Sequence, residues 1–184
     1  IAFLRAVNNG EDFPLGKKVA IIGGGNTAID ASRCAVRLEA QKVSVFYRRT
    51  AEQMTAYEEE VGAAMAEGVK VKFLTAPVSV EKKGGKFVVT FIRMALGKPD
   101  KSGRPAPVPV KGSEFTKKFD TVIAAVGQSL DVPASFGLTL TEKNTVAADG
   151  ATLSASAGKP GVYAGGDCVS GPASIIEAIA AGRK

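Results

Sequence analysis

Histidine and tryptophan are absent from this chain of 184 residues, and cysteine occurs only twice. Cys34 and Cys168 are far apart and belong to no CxxC pair, so a redox dithiol, a zinc site and an iron–sulfur cluster all lack their ligands within the sequence. We expect both cysteines to be small buried residues in a reducing cytoplasm. The sequence therefore predicts no metal site and offers no histidine for acid–base chemistry.

Long apolar runs are also missing, since stretches such as TVIAAVG at 121–127 stop well short of the roughly 20 residues of a membrane span. The net charge of +6 comes from basic pairs separated by acids, without a continuous basic stripe, so we expect no nucleic-acid partner. The chain opens on Ile1 without a charged and apolar leader, and we expect an excised piece or a processed product. These features predict a globular fold that is neither membrane-bound nor nucleic-acid-binding.

The first half of the chain alternates strand-like and helix-like patterns. The run KVAII at 18–22 is continuously apolar and β-branched, as in a strand that is covered on both faces. The resulting order β-α-β-α-β is that of a doubly wound nucleotide-binding unit. The predicted elements are a lead-in helix at 1–9, strands at 18–22, 42–48 and 69–74, a helix at 26–38, and a helix with Met54, Tyr57, Val61, Ala64 and Met65 on one face that ends at Gly68.

The pattern changes after Pro77, where two β-type runs flank the turn signal KKGGK and predict a β-meander. Residues 97–115 contain four prolines and three glycines and predict a long exposed loop or hairpin arm without regular structure. We then expect a buried strand at 119–127, a short strand at 161–166 and a helix from Pro172. Together these elements predict an α/β, Rossmann-like three-layer fold with a central parallel sheet and a β-meander crossover.

The stretch VAIIGGGNTAID carries the pattern G-x-G-x-x-A between a buried strand and a helix. Gly23 would permit the tight turn, Gly25 would let a pyrophosphate reach the backbone, and Ala28 would let the helix approach the sheet. Asn26 and Thr27 are candidate helix caps. The pattern favours a nucleotide-binding loop over the alternative, a plain strand-to-helix turn, because a simple connector does not need three consecutive glycines.

Arg48 and Arg49 stand at the end of the second strand, about twenty residues after the loop, where an NAD-specific site has an acid. A guanidinium can bind a 2′-phosphate bidentately, whereas an acid would repel it, so these residues favour NADP(H). The alternative is a pair of solvated arginines at a strand end.

The block GVYAGGDCVSGPASIIEAIAAG at 161–182 is a third candidate. Asp167 follows a predicted strand and could meet a sugar or ribitol hydroxyl, and Pro172 suits the first turn of a helix whose N-terminus could face a flavin. A simple GGD turn is an equal alternative from these residues alone.

The stretches GKKVAIIGGGNTAID, VFYRRT, GKPDKSGRPAPVPVKGSEF, DTVIAAVGQ and GVYAGGDCVSGPASIIEAIAAGRK resemble, in order and spacing, the NADPH-dependent flavoproteins of the glutamate synthase small (β) subunit type. The resemblance implies an NADPH domain inserted into an FAD domain. It implies an NADP(H)-binding domain at 14–127, with 1–13 and 128–184 as flanking fragments of an incomplete FAD-binding domain.

The resemblance also implies the cofactor contacts. It assigns the NADP pyrophosphate to the loop, the 2′-phosphate to the arginine pair, the boundary of the two nucleotide sites to the end of the last strand, and FAD to the C-terminal block. The residues are Gly23, Gly24, Gly25, Asn26 and Thr27; Arg48 and Arg49; Ala125, Val126 and Gly127; and Asp167 with the helix start Pro172, Ala173, Ser174 and Ile175.

The function implied is delivery of hydride from NADPH to FAD, with electrons passing on to iron–sulfur centres or a partner subunit. The cofactors would carry the chemistry, so no side chain of this chain is assigned as catalytic. The family's FAD glycine fingerprint and its cysteine-rich segment are absent here, so we expect the fragment to be inactive and flavin-free by itself. The alternative function is a non-catalytic NADP(H) sensor or interaction domain.

Overall fold

The computed structural model describes residues 1–100, 103–155 and 161–183. The chain divides into two compact units, Ile1–Val126 and Gly127–Lys184. Residues 1–13 lie in the first of them. The functional assignment of 14–127 to NADP(H) and of 1–13 and 128–184 to an FAD domain stays a prediction.

The first unit has three helices and eight strands among its described residues. The predicted order β-α-β-α-β is present from residue 18 to residue 72 and is followed by an antiparallel group. The elements are α1 (Ala2–Asn8), β1 (Lys18–Ile22), α2 (Asn26–Arg37), β2 (Lys42–Phe46), α3 (Glu58–Ala66), β3 (Lys70–Lys72), β4 (Thr75–Lys83), β5 (Lys86–Pro99), β6 (Pro105–Pro109), β7 (Phe115–Phe119) and β8 (Thr121–Ala124).

Two sheets are formed. Strands β3, β2, β1 and β8 lie side by side in that order, and all neighbouring pairs are parallel. Strands β4, β6 and β7 each pair antiparallel with β5. The chain therefore leaves the parallel sheet at β3, builds the predicted meander, and returns through β8 beside β1.

The central strand β1 is buried on both faces. Val19 and Ile21 belong to the cluster formed with the helices, whereas Ala20 and Ile22 belong to the cluster formed with the meander. Successive strand residues point to opposite faces, so one apolar run serves both layers. Helices, parallel sheet and meander form three layers, and the predicted fold class is confirmed.

Aromatic rings fill the space between the two sheets. Phe46 of β2 stacks on Phe91 of β5 with centroids 4.2 Å apart, and Phe119 of β7 meets Phe46 edge-on at 5.8 Å. Such pairs add about 0.5–1.5 kcal/mol each beyond the area they bury. The aromatic contacts therefore hold the meander against the sheet.

The proline-rich segment 97–115 is more regular than its composition predicts. β5 continues to Pro99, and β6 pairs with it from Met94↔Pro109 to Pro99↔Pro105. The expectation of irregular structure was therefore wrong, and the hairpin arm is the correct alternative. Prolines are tolerated because the pairing shifts between Leu96 and Pro99 and β6 lies at a sheet edge.

The second unit, described up to residue 155 and from residue 161 to residue 183, contains little regular structure. Ala134–Phe136 forms a 3₁₀ turn, α4 spans Asp167–Ser170 and α5 spans Ile175–Gly182. The prediction of a strand at 161–166 was wrong, because in this stretch Tyr163 makes only an isolated bridge with Ser154.

Asp120 ties the amino-terminal ends of the parallel strands together. Its carboxylate accepts hydrogen bonds from Lys17 N at 3.0 Å and Lys18 N at 2.8 Å and pairs with Lys86. These partners, Lys86 first, hold the pKa of Asp120 below its ordinary value of 3.8. The stabilisation is therefore present above pH 3.8 and is lost as pH falls below it.

We predict that Asp120→Asn lowers the free energy of unfolding by about 1–2 kcal/mol at pH 7, because the charge-assisted bonds become neutral ones. The difference from wild type should shrink as pH falls below 3.8, the ordinary pKa of this carboxyl. Urea unfolding at several pH values measures this. Asp12→Asn at an exposed site is the control, and a pH-independent difference would contradict the assignment.

Candidate nucleotide-binding site

The glycine loop lies between β1 and α2, at the carboxyl edge of the parallel sheet. Gly23 N donates to the carbonyl oxygen of Phe46 at 3.1 Å, and Gly23 adopts φ +149°. A Cβ on Gly23 would lie 2.2 Å from the carbonyl oxygen of Ala125. The neighbouring strand end therefore leaves no room for a side chain at this position.

The other two glycines differ from each other. A Cβ on Gly24 would lie 2.3 Å from the ring of Tyr47, whereas a Cβ on Gly25 would meet only Thr55 Oγ1, at 3.3 Å. The Tyr47 hydroxyl donates to Gln53 O at 2.5 Å, which fixes the ring beneath the loop. Packing therefore requires the first two glycines, and Gly25 stands at the open side of the loop.

The segment after β2 holds the loop in place. Thr55 N and Ala56 N donate to Gly24 O at 3.1 and 3.2 Å, and Tyr57 N donates to Asn26 Oδ1 at 3.0 Å. The expected helical position of Met54 and Tyr57 was therefore wrong, because the intervening amides bind the loop and α3 begins only at Glu58.

The helix caps also differ from expectation. The N-cap of α2 is Gly25, without a side-chain cap bond, and Asn26 and Thr27 are the first residues of the helix. The Asn26 amide oxygen is used by Tyr57 N instead of the helix amides.

The backbone amides of the loop have no hydrogen-bond partner among the described residues. In the part of the chain that the structure describes, the N–H groups of Gly24, Gly25, Asn26 and Thr27 donate to no protein acceptor. The first N–H groups of a helix lack intrahelical partners and carry partial positive charge. Ala28 is fully buried behind them, where α2 meets the sheet. This arrangement can hold an anionic group such as a pyrophosphate.

Arg48 and Arg49 lie just beyond β2 but have different surroundings. Arg48 is exposed, whereas Arg49 is 3% exposed. Arg49 Nε donates to Pro105 O at 2.8 Å, and its Nη2 pairs with Asp100 Oδ2 at 2.6 Å. Both arginines therefore lie at the same edge of the sheet as the glycine loop. Their side chains differ, because that of Arg48 is open to solvent and that of Arg49 is buried against other residues.

The end of β8 lies beside the loop. Ala125 N donates to Ile22 O at 2.8 Å, and its carbonyl approaches Gly23. Val126 is 74% exposed, and Gly127, with φ +108°, begins the second unit. Ala125 is therefore part of the loop's packing, and Val126 is accessible at this edge.

The C-terminal candidates belong to the second unit. Asp167 is exposed at the first residue of the short helix α4. Pro172 and Ala173 are exposed ahead of α5, whose N-cap is Ser174, so the expectation that Pro172 forms the first turn was wrong.

A capping box explains why α5 starts later. Ser174 Oγ accepts from Glu177 N at 3.3 Å, and the Glu177 carboxylate accepts from Ser174 N at 2.8 Å. The Ser174 hydroxyl also donates to Glu177 and lowers the pKa of that carboxyl below 4.5.

Charged side chains fasten α3 to α2 behind the loop. Arg33 Nε donates to Glu67 Oε1 at 2.9 Å, and the guanidinium also pairs with Glu60. The hydrogen bond from Arg33 lowers the pKa of Glu67. Desolvation, followed by the charge of Glu60, raises the pKa of Asp30, and Arg33 opposes this rise. The shifted pKa values of Asp30 and Glu67 are therefore explained by the packing of α3 against α2.

Sequence reasoning missed Tyr47, which supports Gly24, and Asp100, which pairs with Arg49. A large aromatic residue just before the arginine pair could have indicated the first. Asp100 is 51 residues from Arg49 within a proline-rich segment, and no local pattern connects them.

Among residues 1–100, 103–155 and 161–183, no three or more Cys, Asp and Glu side chains are arranged to hold a metal ion. None of the helices in these ranges is long and apolar enough to cross a membrane.

A parallel sheet with an open glycine loop at its carboxyl edge, and with an antiparallel meander on one face, is a dinucleotide-binding fold. Residues 3–182 match the family model described as pyridine nucleotide-disulphide oxidoreductase. The chain belongs to this family.

Curated relatives confirm the resemblance noted in the sequence. The chain is 42% identical over its full length to the NADP(+)-dependent formate dehydrogenase subunit beta of Moorella thermoacetica, of which it covers 26%. It is 37% identical over 92% of its length to the glutamate synthase [NADPH] small chain of Escherichia coli, of which it covers 37%. The chain thus spans well under half of these relatives.

Solved structures show the same fold. Lactococcus lactis thioredoxin reductase matches with a TM-score of 0.70 at 20% identity, over 96% of this chain and 52% of that one. Mycobacterium tuberculosis FprA in complex with NADPH matches with a TM-score of 0.67 at 21% identity, over 88% and 49%.

We predict that Gly23→Ala and Gly24→Ala each lower the free energy of unfolding by about 1–3 kcal/mol or more, because each Cβ overlaps neighbouring atoms. Gly62→Ala in α3 is the matched control. A Cβ at Gly62 meets nothing within 4 Å, so this change should be neutral or stabilise by up to about 1 kcal/mol. Thermal and urea unfolding measure the stability of the three variants. An equal loss of stability in Gly62→Ala and in the two loop variants would contradict the packing argument.

Proposed function

We propose that this chain is the NADPH-binding portion of a flavin-dependent oxidoreductase that delivers hydride from NADPH to FAD for onward electron transfer. The observation that carries the proposal is the glycine loop, with unpaired N–H groups at 24–27 in the described structure, at the carboxyl edge of the parallel sheet. The names of the formate dehydrogenase and glutamate synthase relatives, which specify NADP, support the choice of nucleotide.

The pyrophosphate of NADPH would lie on the loop. The amides of Gly25, Asn26 and Thr27 would donate to its oxygens, and the amino-terminal end of α2 would add favourable electrostatics. Only Thr55 Oγ1 lies near the position of a Gly25 Cβ, so the backbone is open to close approach there. The residues present therefore fit this group.

The 2′-phosphate would lie at the end of β2, where Arg48 and Arg49 replace the acid of an NAD site. Arg48 is exposed and can reach a ligand without losing a partner that the structure shows. The positive charge at this edge favours a phosphate over a bare ribose hydroxyl. The positive charge at the end of β2 would therefore give a preference for NADPH over NADH.

The second unit would contribute to an FAD site. Asp167 would meet a hydroxyl of the flavin nucleotide, and Pro172, Ala173 and Ser174 would lie along it. Val126 and Gly127 would stand where the two nucleotide sites adjoin.

An apolar face on α5 supports this assignment. Ile175 and Ile176 are each 79% exposed and Ile179 is 56% exposed. A helix with such an apolar face normally packs against another element. We propose that the remainder of an FAD domain covers it, because the match to longer relatives leaves most of their length outside this chain.

When bound together, the two cofactors exchange a hydride between the nicotinamide and the flavin. The residues of this chain bind and orient the nucleotide, which supplies proximity without an acid or base. Electrons would then leave for an iron–sulfur domain or a partner subunit, in keeping with the subunit and small-chain names of the relatives. Free thiols at Cys34 and Cys168 support a cytoplasmic location.

We predict that the protein binds NADPH more tightly than NADH and that Arg48→Ala/Arg49→Ala removes most of the preference. Loss of charge-assisted bonds to the phosphate should weaken NADPH binding about 10- to 100-fold. NADH should change much less. Isothermal titration with both nucleotides measures this, and equal weakening of the two would show that the arginines do not read the 2′-phosphate.

We also predict that a purified polypeptide of 1–184 is colourless. The glycine loop at Gly23–Gly25 is assigned to NADPH. In the part of the second unit that the structure describes, the α-helix starts that an FAD pyrophosphate could meet are those of the short helices α4 and α5. An absorbance spectrum after incubation with FAD and desalting tests this. A yellow product with stoichiometric FAD would contradict the assignment of this chain as part of a divided FAD site.

A further inference from the structure

The two adjacent arginines have different surroundings where the chain bends just beyond β2. Tyr47 N donates to Lys72 O at 2.9 Å, and Leu74 N donates to Arg49 O at 3.0 Å, so the backbone at the bend stays bonded to β3 and to the residues that follow it. The Arg48 side chain is exposed, whereas Arg49 is buried.

The Arg49 side chain makes its two described hydrogen bonds with the arm, which we define as residues 94–109 and which the structure describes at 94–100 and 103–109. Its Nε donates to Pro105 O at 2.8 Å, and Nη2 pairs with Asp100 Oδ2 at 2.6 Å. The Arg49 side chain is 3% exposed and that of Asp100 is 32% exposed. The guanidinium thus joins both sides of the arm, near its tip, to the end of β2.

The strand pairing within the arm is interrupted. Prolines occupy three of the five positions of β6, at 105, 107 and 109, and cannot donate ladder hydrogen bonds. The register also shifts between Leu96 and Pro99. The side-chain bonds from Arg49 attach the arm to the end of β2, in addition to the backbone pairing within the arm.

We propose that Arg49 is a positioning residue that holds the arm against the nucleotide-binding edge, and that Arg48 is the member of the pair that reads the 2′-phosphate. The second half of this statement rests on the proposed function. Turning Arg49 toward a phosphate would break its ion pair with Asp100, in which the arginine side chain is buried, and this is costly. Arg48 can bind the phosphate without that cost.

The test compares Arg48→Ala, Arg49→Ala, Asp100→Asn and the double variant Arg49→Ala/Asp100→Asn in the protein that carries this chain. Affinities for NADPH and NADH come from titration calorimetry, and amide hydrogen exchange of residues 94–109 reports on the arm. Lys98→Ala, at an exposed arm position, is the matched control and should change neither readout.

Arg48→Ala should weaken NADPH about 10-fold or more, leave NADH nearly unchanged, and leave arm exchange unchanged. Arg49→Ala and Asp100→Asn should each speed arm exchange several-fold and keep the ratio of the two affinities within about twofold. The double variant should exchange no faster than the faster single variant, because both single changes break the same tie.

Loss of NADPH affinity alone in Arg49→Ala, without faster arm exchange, would overturn the proposal, as would additive effects in the double variant. Should Arg48→Ala have no selective effect while Arg49→Ala still frees the arm, the 2′-phosphate assignment fails and the positioning role stands. If Arg49→Ala does not fold, Arg49→Lys replaces it. That variant keeps the charge but not the two-point contact, and intermediate arm exchange with unchanged nucleotide preference is expected.

Discussion

The close approach of backbone to backbone at the carboxyl end of β1 is the constraint on which the rest of the site depends. Gly23 lies against the carbonyl of Ala125, and Gly24 lies against the ring of Tyr47, so neither position has room for a Cβ. This packing fixes the path of the chain into α2, and in the described structure the N–H groups at 24–27 have no protein acceptor. Protein atoms therefore occupy one side of the loop, and Gly25 leaves the backbone open on the other.

The meander contributes to the site as well as to the core. Phe91 and Phe119 cover Phe46 from the face opposite the helices, and Arg49 joins the arm of residues 94–109 to the end of the same strand. The strand that carries the arginine pair is therefore held at both its face and its end. We infer that the position of Arg48 depends on contacts made far from it in sequence.

Much of this architecture can be read from the sequence, because the deciding signals are local. The apolar run at 18–22 predicts a strand that is covered on both faces, and the glycine pattern that follows it predicts the loop. The family resemblance rests on these residues together with VFYRRT, the proline-rich segment, DTVIAAVGQ and the C-terminal block. The ends of elements were predicted less well: Met54 and Tyr57 were placed in a helix, although the nearby amides bind Gly24 and Asn26. Pro172 was placed in α5, although the Ser174–Glu177 capping box starts that helix later.

The sequence by itself determined the β-α-β-α-β order of residues 18–72, the position of the glycine loop and the charge at the end of β2, since each depends on residues that are neighbours in the chain. Only the tertiary structure decided which glycines are required by packing and how the two arginines differ. Both depend on groups that are distant in sequence: Ala125 lies against Gly23, and Asp100 and Pro105 bind Arg49. Residue type alone cannot distinguish an arginine paired by such a partner from one left open to a ligand.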